Sequence, residues 1–421
     1  MTLRNRELVA LMTVGLLTAI GFATVYIALS SKISTGSLGY AVFFFGLYLV
    51  AHVVARITVP LADPYLLPMA ALLTAIGVTE IYRLGPSNAF RQSLWIVIGV
   101  SAFSATLFWL RHDYRVLERY KYIFGVSSIV LLFLPRLPGI GETVNGARLW
   151  IHFGGLQFQP GELGKIALIV FLAAYLREKR EVLAQGKLKD WGPLLVIWGA
   201  AMLLLFVTND LGSALLYYGI FVAMLYVATA RIAFVAGALG LFLVGSFVVA
   251  QGTPHVQERV DVWLNPYKYE HTSGYQILQA LYSMAHGGVG GTGLGRGILN
   301  TQAGAQIVPE QNSDFIYSAL AQELGLIGAA ALLLLYMAFV VRGFQVALKA
   351  TDGFSKLLAA GLSFSFAFQT FVIVGGITRV IPLTGITLPF VSYGGSSVVA
   401  NFLLVAGLLL ISNRANREAG A

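Results

Sequence analysis

Residues 314–342, DFIYSALAQELGLIGAAALLLLYMAFVVR, decide what kind of protein this is. Between Asp314 and Arg342 the only charged side chain is Glu323. As a helix the run is long enough to cross a hydrocarbon core of about 30 Å, which takes roughly 17 to 25 residues. Comparable runs recur along the chain at approximately 8–30, 38–60, 65–83, 91–110, 119–136, 162–177, 191–208, 211–228, 232–251, 354–378 and 389–412. They are near-continuously apolar and lack the alternation of a membrane barrel strand, so helices are the expected form. The break at 208–211 is the shortest. With 57% hydrophobic and 11% charged residues and a mean hydropathy of +0.77, the chain reads as an all-α polytopic membrane protein of about twelve transmembrane helices. The opening MTLRNRE has a basic start but no small-residue cleavage site, and further spans follow, so the first run is expected to remain as an anchor.

Orientation follows from the basic residues, since short positively charged loops resist translocation. With the N-terminus inside, eighteen of the 28 Lys and Arg fall on the cytoplasmic side, nine outside, and one, Lys165, within a span. Both termini are then cytoplasmic. The net charge of +9 reads as a topology signal and an attraction to anionic membrane lipids. No basic face is left for nucleic acid. The absence of cysteine excludes disulfides and thiolate metal sites, and the histidines show no paired metal spacing.

Two external segments, about 137–161 and 252–313, are long enough to carry work. They hold aromatics such as Trp150, Phe158, Trp263 and Tyr275 among polar residues, unlike disordered tracts. No soluble domain, linker or internal repeat is evident. GVGGTG at 288–293 fits a dinucleotide fingerprint only literally, because it lacks a βαβ context; its glycines read as tight turns or close approach.

Charged residues at span ends are the candidates for function, because charge at depth is costly and normally paired or wet. Glu162 and Lys165 share one helical face, Asp210 opens one span, and VPEQNSDF at 308–315 places Pro309, Glu310 and Asp314 just before another. Glu162 and Asp210 read equally as helix-start acids favoured by the dipole, and Glu323 as a buried packing acid. A lysine near a helix start opposes the dipole, so Lys165 is expected to answer a carboxylate on another span. Asp314 is the leading partner, whether for chemistry or as a static bridge that fixes packing. PFVSYGGSS at 389–397 gathers Ser392, Tyr393, Gly394, Gly395 and Ser396 at the outer start of the last span, either as donors to an anion or as a small-residue interface.

LPFVSYGGSS with PLTGI at 382–386, NGARLWI at 145–151, FQPGELGKIALIVFLAAYL at 158–176, GYQILQAL at 274–281 and VPEQNSDFIYSALAQELGLIG at 308–328 together resemble the SEDS family of shape, elongation, division and sporulation proteins, which includes RodA and FtsW. The similarity covers about 63–413. Family members usually have ten spans, so residues 1–62 read as an added N-terminal helix pair and 63–421 as the membrane core. That pair and GGITRVIPLTG at 375–385 look more RodA-like than FtsW-like.

The resemblance implies a peptidoglycan glycosyltransferase that polymerises lipid II on the extracytoplasmic face of the bacterial cell membrane and releases undecaprenyl diphosphate, with a class B penicillin-binding protein as partner. It makes Asp314 the catalytic base and Lys165 its paired cation, and assigns Arg148 and Trp150 to the N-G-x-R-x-W-I motif. The expected substrate-binding set adds Glu162, Arg259, Gln276, Pro309, Glu310, Ser392, Tyr393, Gly394, Gly395 and Ser396. Asn312 stands where the family usually has His, and QPGELGK replaces the usual Q-P-S-E-L-A-K. The departing diphosphate could be steadied by Lys165, Arg148, Arg259, Arg379 or a divalent cation such as Mg2+ or Mn2+, and the sequence does not choose. The alternatives are a lipid II flippase, an FtsW-type division enzyme, or a scaffold for the transpeptidase. A flippase should line an inner cavity from both sides of the bilayer, whereas the polar residues here gather at outer ends.

Overall fold

A bilayer core offers no water to unpaired peptide groups, so an apolar chain satisfies them internally as helices. A computed structural model describes residues 2–30, 35–144, 147–153, 156–184, 191–252, 254–298 and 307–420. Its helices are α1 (Leu3–Ser30), α2 (Thr35–Thr58), α3 (Leu66–Leu84), α4 (Pro86–Leu110), α5 (Val116–Arg119), α6 (Lys121–Phe133), α7 (Pro160–Ala184), α8 (Gly192–Val207), α9 (Leu211–Thr229), α10 (Ile232–Gly252), α11 (Pro254–Leu264), α12 (Tyr275–Gly287), α13 (Ile316–Lys349), α14 (Gly353–Ile377) and α15 (Gly395–Ala419). Each apolar run falls on one of them. Among the described residues eight helices are long and apolar enough to cross a membrane, namely α1–α4, α9 and α13–α15, and α8 and α10 are shorter apolar helices. The fold is an all-α polytopic membrane fold.

Two segments differ from the sequence reading. The segment 137–161, to which the apolar pattern assigns no element, carries a small antiparallel sheet in the order β1 (Gly141–Val144), β2 (Ala147–Phe153), β3 (Leu156–Phe158). Glu142 pairs with Trp150, and Ile151 with Phe158. β1 and β3, of four and three residues, give hydrophobicity no period to show, whereas in β2 Ala147, Leu149, Ile151 and Phe153 alternate with Arg148, Trp150 and His152. The last apolar run starts at 389, but α15 starts at Gly395. The intervening residues form an irregular turn in which Phe390 has φ 64°. A non-glycine residue in the left-handed region is strained and persists only where its surroundings hold it.

The mostly buried α15 lies at the centre, packed on α4, α13, α7, α14 and α3. The α1/α2 pair packs on the outside of α3 and α4 and shares their core. Gly77 of α3 is the point of closest approach to the irregular turn. A Cβ there would sit 2.5 Å from the Val391 carbonyl oxygen and 2.6 Å from its Cα, so any side chain would push the turn away.

The ends of the bundle differ in character. One carries the α2–α3 and α13–α14 links and partly exposed ion pairs such as Arg342 with Asp63 at 3.1 Å and Arg414 with Asp113 at 3.5 Å. Pairs of this kind contribute little to stability. The other end gathers β1–β3, α11, α12, residues 307–315 and the stretch from 378 to 394. Here α13 kinks at Gly325, and the glycine loop 288–293 fills the kink: Thr292 and Gly293 donate to the Gln322 and Glu323 carbonyls at 3.1 and 2.9 Å. Glu323 is a buried packing acid, as the sequence reading has it. Its carboxylate accepts from the Gly295 and Gly297 amides at 2.6 and 3.1 Å and meets Arg83 Nε at 3.1 Å.

Candidate active site

Between the sheet, α11, α12 and the starts of α7, α9 and α15 lies a cavity of about 800 Å3. Of the residues expected from the sequence, Trp150, Glu162, Arg259, Gln276, Pro309, Glu310, Asp314, Tyr393, Gly394 and Gly395 line it. The other four stand behind the wall. Lys165 is 2% exposed. Arg148 ties β2 to β1 and to the segment before it by donating to the Gly141 and Leu137 carbonyls, each at 3.2 Å. Ser396 Oγ accepts from the Gln159 amide at 2.6 Å and fixes the start of α7. Ser392 Oγ donates to the Ser313 carbonyl at 2.6 Å. Asn145 and Gly146 of the N-G-x-R-x-W-I motif lie outside the described residues.

Asp314 lies two residues before α13, outside the span. Its loop is held from both sides. Pro309 fixes the approach, and Glu310 takes φ 53°. From the irregular turn before α15, Ser392 holds the Ser313 carbonyl, and the Tyr393 amide donates to the Asn312 carbonyl at 2.8 Å. The SYGG segment is therefore a clamp on the aspartate loop as well as a wall. Gly385, at φ +70°, faces the carboxylate, and a Cβ there would be 3.5 Å from Asp314 Oδ2. Burial pushes the Asp314 carboxyl up to about 7; the Glu310 carboxylate adds to the shift, while Arg259 and a Ser313 hydrogen bond oppose it.

The ion pair expected between Lys165 and Asp314 is absent among the described residues. Lys165 Nζ instead donates to Glu162 Oε2 at 2.8 Å and to Gln369 Oε1 at 2.6 Å. One helical turn separates Glu162 from Lys165, so the nearest carboxylate is on the lysine's own helix. The cation that acts on Asp314 is Arg259 of α11, whose guanidinium also donates to the Leu383 and Thr384 carbonyls at 3.4 and 3.3 Å. Burial lowers its pKa, opposed by Asp210, Asp314 and Glu258. Arg379 is engaged elsewhere, donating to the Trp263 carbonyl at 2.8 Å.

From the sequence Asp210 reads as a helix-start acid or as a functional one. It caps α9, accepting from the Ser213 amide at 3.0 Å, and it lines the cavity. Burial raises its carboxyl, opposed by the Ser213 bonds, with Glu162 adding and Arg259 subtracting. Gln369 and Trp95 are absent from the sequence-based set. Gln369, 0% exposed, donates from Nε2 to the Thr387 carbonyl at 2.9 Å. Trp95 lines the cavity and stacks on Phe158 with centroids 6.1 Å apart. An uncharged amide inside an apolar run was the available signal for Gln369; for Trp95 there was none, since tryptophan is ordinary in a membrane helix.

Chemically, the cavity offers a carboxyl poised near neutrality, an arginine beside it, and the indoles of Trp95, Trp150 and Trp263 as flat apolar faces. No three metal-ligating side chains converge among the described residues. A divalent cation would have to take most of its ligands from a bound diphosphate.

The family described as FtsW/RodA/SpoVE, cell cycle protein, matches residues 54–417. The peptidoglycan glycosyltransferase RodA of Mycobacterium tuberculosis is 39% identical over 99% of this chain and 92% of its own length. Stage V sporulation protein E of Bacillus subtilis is 35% identical over 84% of this chain and 98% of its own. Among solved structures, a chain from work on the coordination of polymerization and crosslinking by a peptidoglycan synthase complex aligns with TM-score 0.71 and 28% identity over 84% of this chain and 98% of that one. Rod shape determining protein RodA of Thermus thermophilus aligns with TM-score 0.58 and 26% identity over 84% and 97%. The chain belongs to the FtsW/RodA/SpoVE family of cell cycle proteins.

Proposed function

We propose that this chain is a peptidoglycan glycosyltransferase that polymerises lipid II. The 4-hydroxyl of the acceptor GlcNAc attacks C1 of the donor MurNAc, Asp314 takes the hydroxyl proton, and undecaprenyl diphosphate leaves with the bonding electron pair and inversion at C1. The observation that carries this reading is Asp314, which lines the cavity with its carboxyl near neutrality and Arg259 nearby. A base is most effective when its pKa lies near the working pH. Arg259 is the cavity cation placed to meet charge on the departing diphosphate, and Lys165 acts from behind the wall.

The cavity is built from helix ends and the segments between them, which supports chemistry at one membrane face rather than passage through the bilayer. The basic residues support the assignment of that face as extracytoplasmic with both termini cytoplasmic. The mycobacterial RodA matches nearly the whole chain while the sporulation protein leaves part of it out, which supports a RodA-type role in elongation and 1–62 as an added helix pair beside a core of 63–421. Likeness to a chain of a synthase complex supports a class B penicillin-binding protein as partner, docked by its membrane helix.

The test is the purified full chain in detergent or nanodiscs with lipid II on the accessible face. Glycan polymer resolved by gel electrophoresis is the expected product. A transporter or a scaffold would leave the lipid II unpolymerised.

A further inference from the structure

Lys165 does not reach Asp314, which leaves open how a buried ammonium behind the wall bears on the cavity. The connection runs through one amide. Gln369 of α14 accepts from Lys165 Nζ at 2.6 Å through Oε1 and donates through Nε2 to the Thr387 carbonyl at 2.9 Å. The two partners fix the amide's orientation, because an ammonium has no acceptor and a carbonyl no donor. Thr387 ends the wall segment 383–387, whose other end is held by Arg259 at the Leu383 and Thr384 carbonyls. In its middle, Gly385 faces the Asp314 carboxylate.

We propose that Gln369 is a positioning residue that couples the Lys165–Glu162 pair to the 383–387 wall and so sets where Asp314 and Arg259 stand relative to the reacting sugar. The proposal rests on the glycosyltransferase reading above. It gives Lys165 a role that requires no contact with substrate: its charge holds Glu162 on the cavity side and Gln369 on the other. A misplacement of about 1 Å at a reacting centre can cost about 10²-fold, so an amide outside the cavity can matter to the rate.

Two full-length variants test it. Gln369→Met is similar in length and adds no buried charge, but loses both bonds. Gln369→Glu keeps an acceptor for Lys165 and loses the donor to Thr387. Both are expected to lower kcat for lipid II polymerisation by between about tenfold and 10²-fold, with KM within about twofold. Combining Gln369→Met with Lys165→Met should give no more loss than Lys165→Met alone, since the two act in series. The chain has no cysteine, so Thr384→Cys supplies a single thiol on the wall, and its labelling should be several-fold faster when Gln369→Met is added.

A folded Gln369 variant with a wild-type rate and unchanged labelling would overturn the proposal. So would failure of both variants to fold while Lys165→Met folds, because the amide would then serve the fold. If the wild-type chain makes no polymer, the glycosyltransferase reading fails, and the labelling still reports whether Gln369 holds the wall.

Discussion

Replacing Asp314 with asparagine is expected to lower the initial rate of lipid II polymerisation by about 10²–10⁴-fold, the range a positioned general base contributes. Asparagine keeps the size and the hydrogen-bonding edge of the side chain and removes only its ability to take a proton. The loss should therefore appear in kcat with little change in KM. Stability should move the other way. The folded-state carboxyl sits at about 7 against an ordinary 3.8, because burial and Glu310 disfavour its charge. The folded protein then holds the proton more tightly than the unfolded chain, so stability is greatest below 3.8 and falls as pH rises to about 7. At pH 8 the neutral variant should melt at or above the wild-type temperature. An inactive variant with a lowered melting temperature would indicate misfolding in place of lost chemistry.

Lys165→Met should damage both stability and rate. The ammonium is 2% exposed and has Glu162 and Gln369 as partners. Its removal leaves a carboxylate without its cation and an amide oxygen without a donor. Breaking a buried pair in this way costs about 3–5 kcal/mol. Glu162 lines the cavity, where water reaches it, so the lower end of that range applies. Adding Glu162→Gln removes the uncompensated charge and should restore most of the melting temperature. Polymerisation should stay at least about tenfold low in both variants, because the wall has lost its anchor. If Lys165→Met melts like the wild type, the pair does not compensate a buried charge. If the double variant recovers the rate, the anchor is not needed for chemistry.

Hydropathy made the helices legible because a bilayer leaves the chain one solution for its peptide groups, and every long apolar run became a helix. The expected pairing of Lys165 with Asp314 was wrong for a reason that spacing along the chain cannot show. It depends on which partner lies nearest across the packed helices, and a carboxylate on the same face of α7 is nearer than one on the loop before α13. Gln369 stayed hidden because a neutral amide barely marks a hydropathy profile. The PFVSYGGSS motif points to Ser392 and Ser396 as contacts for substrate. The structure places them one layer back, where they fix the loop and the helix that carry Asp314 and Glu162. In the sheet of residues 141–158, β1 and β3 are too short for period-2 alternation to register, and the available signal is the alternation of ARLWIHF in β2.

As the base, the Asp314 carboxyl must lose its proton before it can accept one from the sugar hydroxyl. The most direct measurement is kcat/KM for lipid II polymerisation by the wild-type chain, followed from about pH 5 to about pH 8.5. The free protein's Asp314 sets an acidic limb centred at about 7, with the rate rising about tenfold per pH unit below it and levelling above. A rate independent of pH across that range, or one that falls as pH rises through 7, would contradict Asp314 as the base.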